Sequence, residues 1–156
     1  MKIENQVCTM EQAKKLKELG VYNPTPEFYW VDLSAWSQGY KIQHKSEAEY
    51  RSKETKDTAF TDFNTTFPAF TVPELGVVIP NEQAIIGWEI WYNDHIGEWN
   101  CAIRDFVKWK EGANPPPIAY ESEGNTMAEA MANALIHCLE NKSTTVEECN
   151  HRLLTA

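Results

Sequence analysis

The sequence predicts an α+β fold: an antiparallel sheet of four to five strands flanked by N-terminal and C-terminal helices. Three observations carry that expectation. An apolar stripe of helical period runs near the end of the chain, where Met127, Ala130, Met131, Ala134, Leu135, Cys138 and Leu139 recur at steps of three and four. Two long alternating segments flank the polar cluster Asn93-Asp94-His95-Ile96-Gly97, as in an antiparallel hairpin. Strand patterns also follow one another through short links without β-α-β alternation, which argues against a doubly wound parallel sheet. At 156 residues the chain reads as a single domain, 1–156, because ordinary domains run about 100–200 residues.

The elements follow in chain order. Thr9-Met10-Glu11-Gln12 has the capping-box pattern, and Ala13, Leu16 and Leu19 recur behind it at helical spacing. Gly20 stands where a left-handed cap is wanted, so a helix is predicted over 10–19. Phe28-Tyr29-Trp30-Val31, after Pro24 and Pro26, favours a strand. Residues 34–39 read as a turn, and Tyr40, Ile42 and His44 alternate as a second strand pairing back in a hairpin. Residues 45–58 carry four basic and four acidic side chains and almost nothing apolar. They read as a polar insertion, either an exposed helical turn or a mobile loop.

Segment 59–70 is aromatic and irregular, with Phe60, Phe63, Phe67, Pro68 and Phe70. Thr71-Val72-Pro73-Glu74 then repeats the capping pattern and opens a short helix to about Val78. In 84–92, Ile86, Trp88, Ile90 and Tyr92 share one face, while Ile85, Glu89 and Trp91 share the other. Trp99, Cys101, Ile103, Val107 and Trp109 form the facing apolar set, interrupted by Asp105. Residues 111–117 read as a stiff loop and 118–123 as the last strand. Thr126-Met127-Ala128-Glu129 caps the long helix, whose Met131, Leu135 and Leu139 are expected on Trp88, Ile90, Cys101 and Ile103. Thr145-Val146-Glu147-Glu148 opens a short terminal helix ending near Leu154.

Charge and composition narrow the function classes. No apolar run approaches the roughly 20 residues that cross a bilayer, and the opening residues lack a signal-peptide stretch, so a cytoplasmic setting without membrane attachment is expected. Residues 1–60 are neutral, so the whole net charge of −9 falls in 61–156. Such acidity repels phosphate backbones, and direct nucleic-acid binding is not expected. Its plain reading is solubility; a DNA mimic would need ordered acid rows, whereas these acids are scattered. The four cysteines, Cys8, Cys101, Cys138 and Cys149, read as free thiols. Cys8 and Cys149, nearer the chain ends, are expected to label faster than the other two. His137-Cys138 and Cys149-Asn150-His151 place soft ligands together, yet two ligands do not make a tetrahedral metal site.

The richest titratable cluster is the hairpin tip, Glu89, Asp94, His95 and Glu98, where a carboxylate could hold an imidazole as general base. Turn tips are normally exposed, and no phosphate loop, nucleophile elbow or zinc-protease motif is present. No residue is assigned a catalytic, cofactor-binding or metal-binding role. Six tryptophans instead raise the question of what covers them. Three helices look too few for both faces of such a sheet, which would leave Trp91 and Ile85 wet. Either a second copy supplies the cover in a homodimer, or the Phe60–Phe70 segment folds over that face.

The opening QVCTMEQAKKLKELGV, the strand EFYWV, the block PAFTVPELGVVIP and the helix TMAEAMANALIHCLENK, in that order, resemble a family of small bacterial proteins from prophage and other mobile-element regions. These have a layered arrangement sometimes described as a phage sandwich domain. The resemblance covers roughly a third of the chain, implies an α+β fold and a cytoplasmic setting, and transfers no catalytic residue. Residues 45–60 look like an expansion against that family. Two readings follow. One is an accessory or interaction protein of a mobile element, with a protein partner or a second copy. The other is a small enzyme or ligand-binding protein with its site near the 93–98 turn or the Phe-rich 60–70 segment.

Overall fold

The structure, a computed structural model, describes residues 2–23, 25–33, 39–47, 66–79, 86–105 and 117–155. After a 3-10 turn at Ile3–Asn5, the order is α1 (Met10–Glu18), β1 (Phe28–Asp32), β2 (Tyr40–His44), β3 (Thr66–Pro68) and α2 (Val72–Val78). Then come β4 (Ile86–Asn93), β5 (Glu98–Asp105), β6 (Ile118–Gly124), α3 (Met127–Glu140) and α4 (Val146–Thr155). Among the described residues, no helix is long and apolar enough to cross a membrane.

The chain is α+β with antiparallel pairing, but the strands among the described residues form two sheets of three, not one sheet of four to five. Their orders are β2-β1-β3 and β4-β5-β6. The division turns on β3, a three-residue strand that the aromatic, irregular 59–70 segment did not announce. β3 pairs with β1 through Tyr29↔Pro68, Trp30↔Phe67 and Val31↔Thr66. The Ala69 N–H turns inward to the Phe28 carbonyl at 2.9 Å, so alternation aims the Pro68 nitrogen outward. Proline has no hydrogen there to offer a further strand, and α2 opens three residues after Ala69, at Val72. The second sheet follows the predicted hairpin, with Trp88↔Ile103, Ile90↔Cys101 and Tyr92↔Trp99 in register. A register shift lies between Ile103 and Arg104 where β5 meets β6.

The helix starts share one device. Thr9 Oγ1 accepts from the Gln12 N–H and Gln12 Oε1 accepts from the Thr9 N–H, a reciprocal box. Thr71 and Glu74 repeat it at α2, and Thr145 and Glu148 repeat it at α4. At α3 the Thr126 hydroxyl caps Glu129, but the Glu129 carboxylate accepts from the Asn125 N–H instead, at 2.9 Å. Residues 45–47 of the polar insertion have helical backbone; 34–38, 48–65, 80–85 and 106–116 lie outside the described residues, as do the predictions made for them.

One core joins the layers. Met131, Leu135, Cys138 and Leu139 of α3 are buried with Cys101 and Ile103 of β5, and Trp88, Ile90 and Tyr120 pack on them. The same cluster takes in Leu16 of α1, Phe67 of β3, and Leu75 and Val78 of α2. Polar ties cross it: Ser122 Oγ donates within reach of the Cys101 and Ala130 carbonyls, and Trp30 Nε1 donates to the Cys8 carbonyl at 3.0 Å. The Tyr120 and His137 rings stack with centroids 3.4 Å apart, bracing β6 on α3. Val31 and Leu33, with Tyr29 packed on them, are buried on the other side of the first sheet.

Candidate functional site

At the hairpin tip the described residues do not bring an imidazole and a carboxylate into hydrogen-bonding contact. Asp94 and His95 are exposed, and among the described residues no hydrogen bond joins the His95 imidazole to Asp94, Glu98 or Glu89. The Asn93 side chain instead accepts from the His95 backbone N–H at 3.1 Å, which is turn chemistry. Glu89 lies back along β4, in an ion pair with Arg104 of β5. Of the other candidate segment, Phe67 and Phe70 are buried in the core, while Phe60 and Phe63 lie outside the described residues.

The thiols are placed differently from the expectation for Cys8 and Cys149. All four cysteines are free and fully buried, because Cys8 sits under Phe70 and α4 turns Cys149 inward. Burial pushes the Cys8 and Cys101 thiols up to about 12 and Cys138 up to about 11, and it raises Cys149 as well. Protonated buried thiols are poor nucleophiles and poor ligands. Among the described residues, no group of three or more His, Cys, Asp or Glu side chains could hold a metal ion.

What the fold builds instead is a cleft of about 650 Å³ where the two sheets approach. Glu27, just before β1, and Phe28, its first residue, line one side, and β5 of the other sheet contributes Trp99. Val72 and Pro73 from the first turn of α2, and Met127 from the first turn of α3, complete an apolar lining. Asn5, Gln6 and Asn125 add side-chain amides. The N-terminal segment is held there by an isolated bridge between Val7 and Thr71 and by the Val72 N–H donating to the Gln6 carbonyl.

Both aromatic walls are braced by a second ring. Phe28 meets His44 edge-on at 5.4 Å, and Trp99 meets Tyr92 at 5.5 Å. Two helix starts reach the cleft through Thr71 and Thr126, and each already carries a carboxylate. Glu74 accepts from the Thr71 N–H at 2.7 Å and Glu129 from the Asn125 N–H at 2.9 Å. Their partial positive charge is therefore answered within the protein. Glu27 is the one ionisable side chain among the described lining residues. The buried polar atoms without a partner among the described residues, Gln43 Oε1, Trp88 Nε1 and Asn100 Oδ1, belong to side chains outside the lining.

This arrangement can enclose an apolar or aromatic group and hydrogen-bond its surroundings; it presents no acid–base pair to a substrate. Sequence reasoning missed it because its walls come from segments as distant as Asn5 and Met127. Phe28 reads as a strand residue and Met127 as part of a core stripe, with no spacing that links the two. Compared with known protein families, curated proteins and solved structures, the chain matches none of them.

Proposed function

We propose that this is a non-enzymatic accessory protein that works by binding, and that the cleft between its sheets receives a side chain presented by a partner polypeptide. The cleft carries the reading: about 650 Å³, walled by Phe28, Trp99, Val72 and Met127, with amides at hand for a peptide backbone. Recognition pockets of roughly 300–1,000 Å³ have this make-up, mostly apolar with a few placed polar groups. The ordered resemblance to mobile-element proteins supports a prophage or mobile-element setting, in the cytoplasm. The net charge of −9 favours a protein partner over nucleic acid.

A different protein, rather than a second copy, is the partner we favour. The argument for a homodimer rested on one broad sheet with a bare face, and the strands divide into two narrower sheets. Trp91 is half-buried, and the exposed apolar side chains, such as Ile3, Tyr22, Ile96, Ile118 and Leu154, sit on different elements. The test is an amide and indole NMR titration of the full chain with N-acetyl-leucine methylamide at millimolar concentration. Shifts at the Trp99 indole, Phe28 and Met127 are expected. Those signals left unmoved by this probe and by its N-acetyl-arginine and N-acetyl-citrulline counterparts overturn the reading.

A further inference from the structure

Resting on that binding reading, we infer that the side chain the cleft receives is a guanidinium, so the partner segment carries an arginine. Glu27 supplies the one carboxylate among the described lining residues, and it is exposed to solvent, where an incoming cation meets it first. Phe28 and Trp99 supply aromatic surfaces in the same cleft, each held by a neighbouring ring. A guanidinium is planar and weakly hydrated. It lies flat on an aromatic face while its N–H fork engages a carboxylate, which an ammonium does less well.

An anion finds the opposite situation. The two helix starts that reach the cleft are occupied by Glu74 and Glu129, so carboxylates stand where a phosphate or a free carboxylate would need donors. The charge of the chain acts in the same direction at longer range, since −9 draws basic partners toward the surface before contact. The side-chain amides of Asn5 and Gln6 suit the backbone on either side of the arginine, while Asn125 Nδ2 already donates to Glu129 at 3.2 Å.

The experiment compares N-acetyl-arginine methylamide with N-acetyl-citrulline methylamide, its neutral near-isostere, by NMR titration of the full chain at low salt. Arginine is expected to bind about five- to thirtyfold tighter, the range of a cation–π contact plus a rim ion pair. That preference should shrink in Glu27→Gln and at high salt. Glu27→Gln changes an exposed side chain and leaves folding intact. Trp99→Ala should weaken both probes, and Trp99→Phe should restore part of the loss, which separates ring stacking from a folding defect. Equal affinity for arginine and citrulline, with shifts at Trp99, overturns the guanidinium assignment and leaves the cleft reading standing. Arginine shifts confined to another acidic surface, such as Glu121 and Glu123, overturn it as well. No shift from arginine, citrulline or leucine overturns both.

Discussion

The side-chain amides of Gln12 and Asn133 are joined by a 2.7 Å hydrogen bond across 121 positions of chain. Gln12 is also the residue that closes the capping box of α1, so one side chain starts a helix and docks it. Its Nε2 reaches the Glu129 carbonyl at 3.0 Å as well, and Asn133 passes the connection on to the Glu123 carbonyl of β6. Gln12→Ala should cost about 1–3 kcal/mol in urea denaturation, the price of leaving half-buried partners unmet. Gln12→Glu keeps the acceptor for the Thr9 N–H but cannot donate to Asn133 or Glu129. It should lose a comparable amount, and wild-type stability in that variant would show that the cross-chain bonds contribute nothing.

Leu135 is fully buried at the centre of α3, among Cys101, Ile103 and Met131. Leu135→Ala should destabilise the protein by about 2–5 kcal/mol, the transfer and cavity terms together. A loss under about 1 kcal/mol in chemical denaturation would mean the helix is free to collapse onto the space.

Gly124 ends β6 directly against the first turns of α3. A methyl group added there would stand 2.5 Å from the Ala130 nitrogen and 2.6 Å from Glu129 Cβ, closer than real Cβ contacts come. Backbone cannot step aside as a flexible side chain can, so Gly124→Ala should cost at least about 1–3 kcal/mol. Calorimetry should show a lower Tm, and an unchanged Tm would refute the close approach.

Buried thiols couple stability to alkaline pH. A thiol whose pKa is raised in the folded state stays protonated there, while the unfolded chain ionises near its ordinary value of 9.0. The stabilising contribution is therefore complete below pH 9 and is lost as pH rises toward about 12 for Cys8 and Cys101. Cys8→Ala and Cys101→Ala should each flatten the fall in stability over that range. All four thiols should resist a disulfide reagent at pH 8 and react together upon unfolding. Fast native-state labelling of Cys8 or Cys149 would contradict their burial.

What the sequence disclosed divides by distance along the chain. The starts of α1, α2, α3 and α4 were readable because a threonine and a glutamate or glutamine three residues on satisfy backbone donors within one turn. The 86–105 hairpin was readable because alternation and a turn cluster lie side by side. β3 was not, since Thr66-Phe67-Pro68 is too short to alternate and contains the residue least suited to a ladder. The allocation of strands to two sheets then followed from a pairing of β1 with β3 that no local signal encodes. The cleft shares that fate. Glu27, Thr71, Trp99 and Asn125 have no common periodicity, and they meet only because elements far apart in the chain pack together.

Pro68 has a further consequence, for what the folded protein does in a crowded solution. A sheet edge is a template on which a stray strand can be laid, and stacking of that kind begins ordered aggregation. At the outer side of β3 the template has a missing tooth, since the outward nitrogen of Pro68 carries no hydrogen, and all three residues of the strand are also buried. Among the described residues, the first sheet thereby offers one hydrogen-bond donor fewer to a further strand on that side, a deficit written into covalent chemistry that pH does not change.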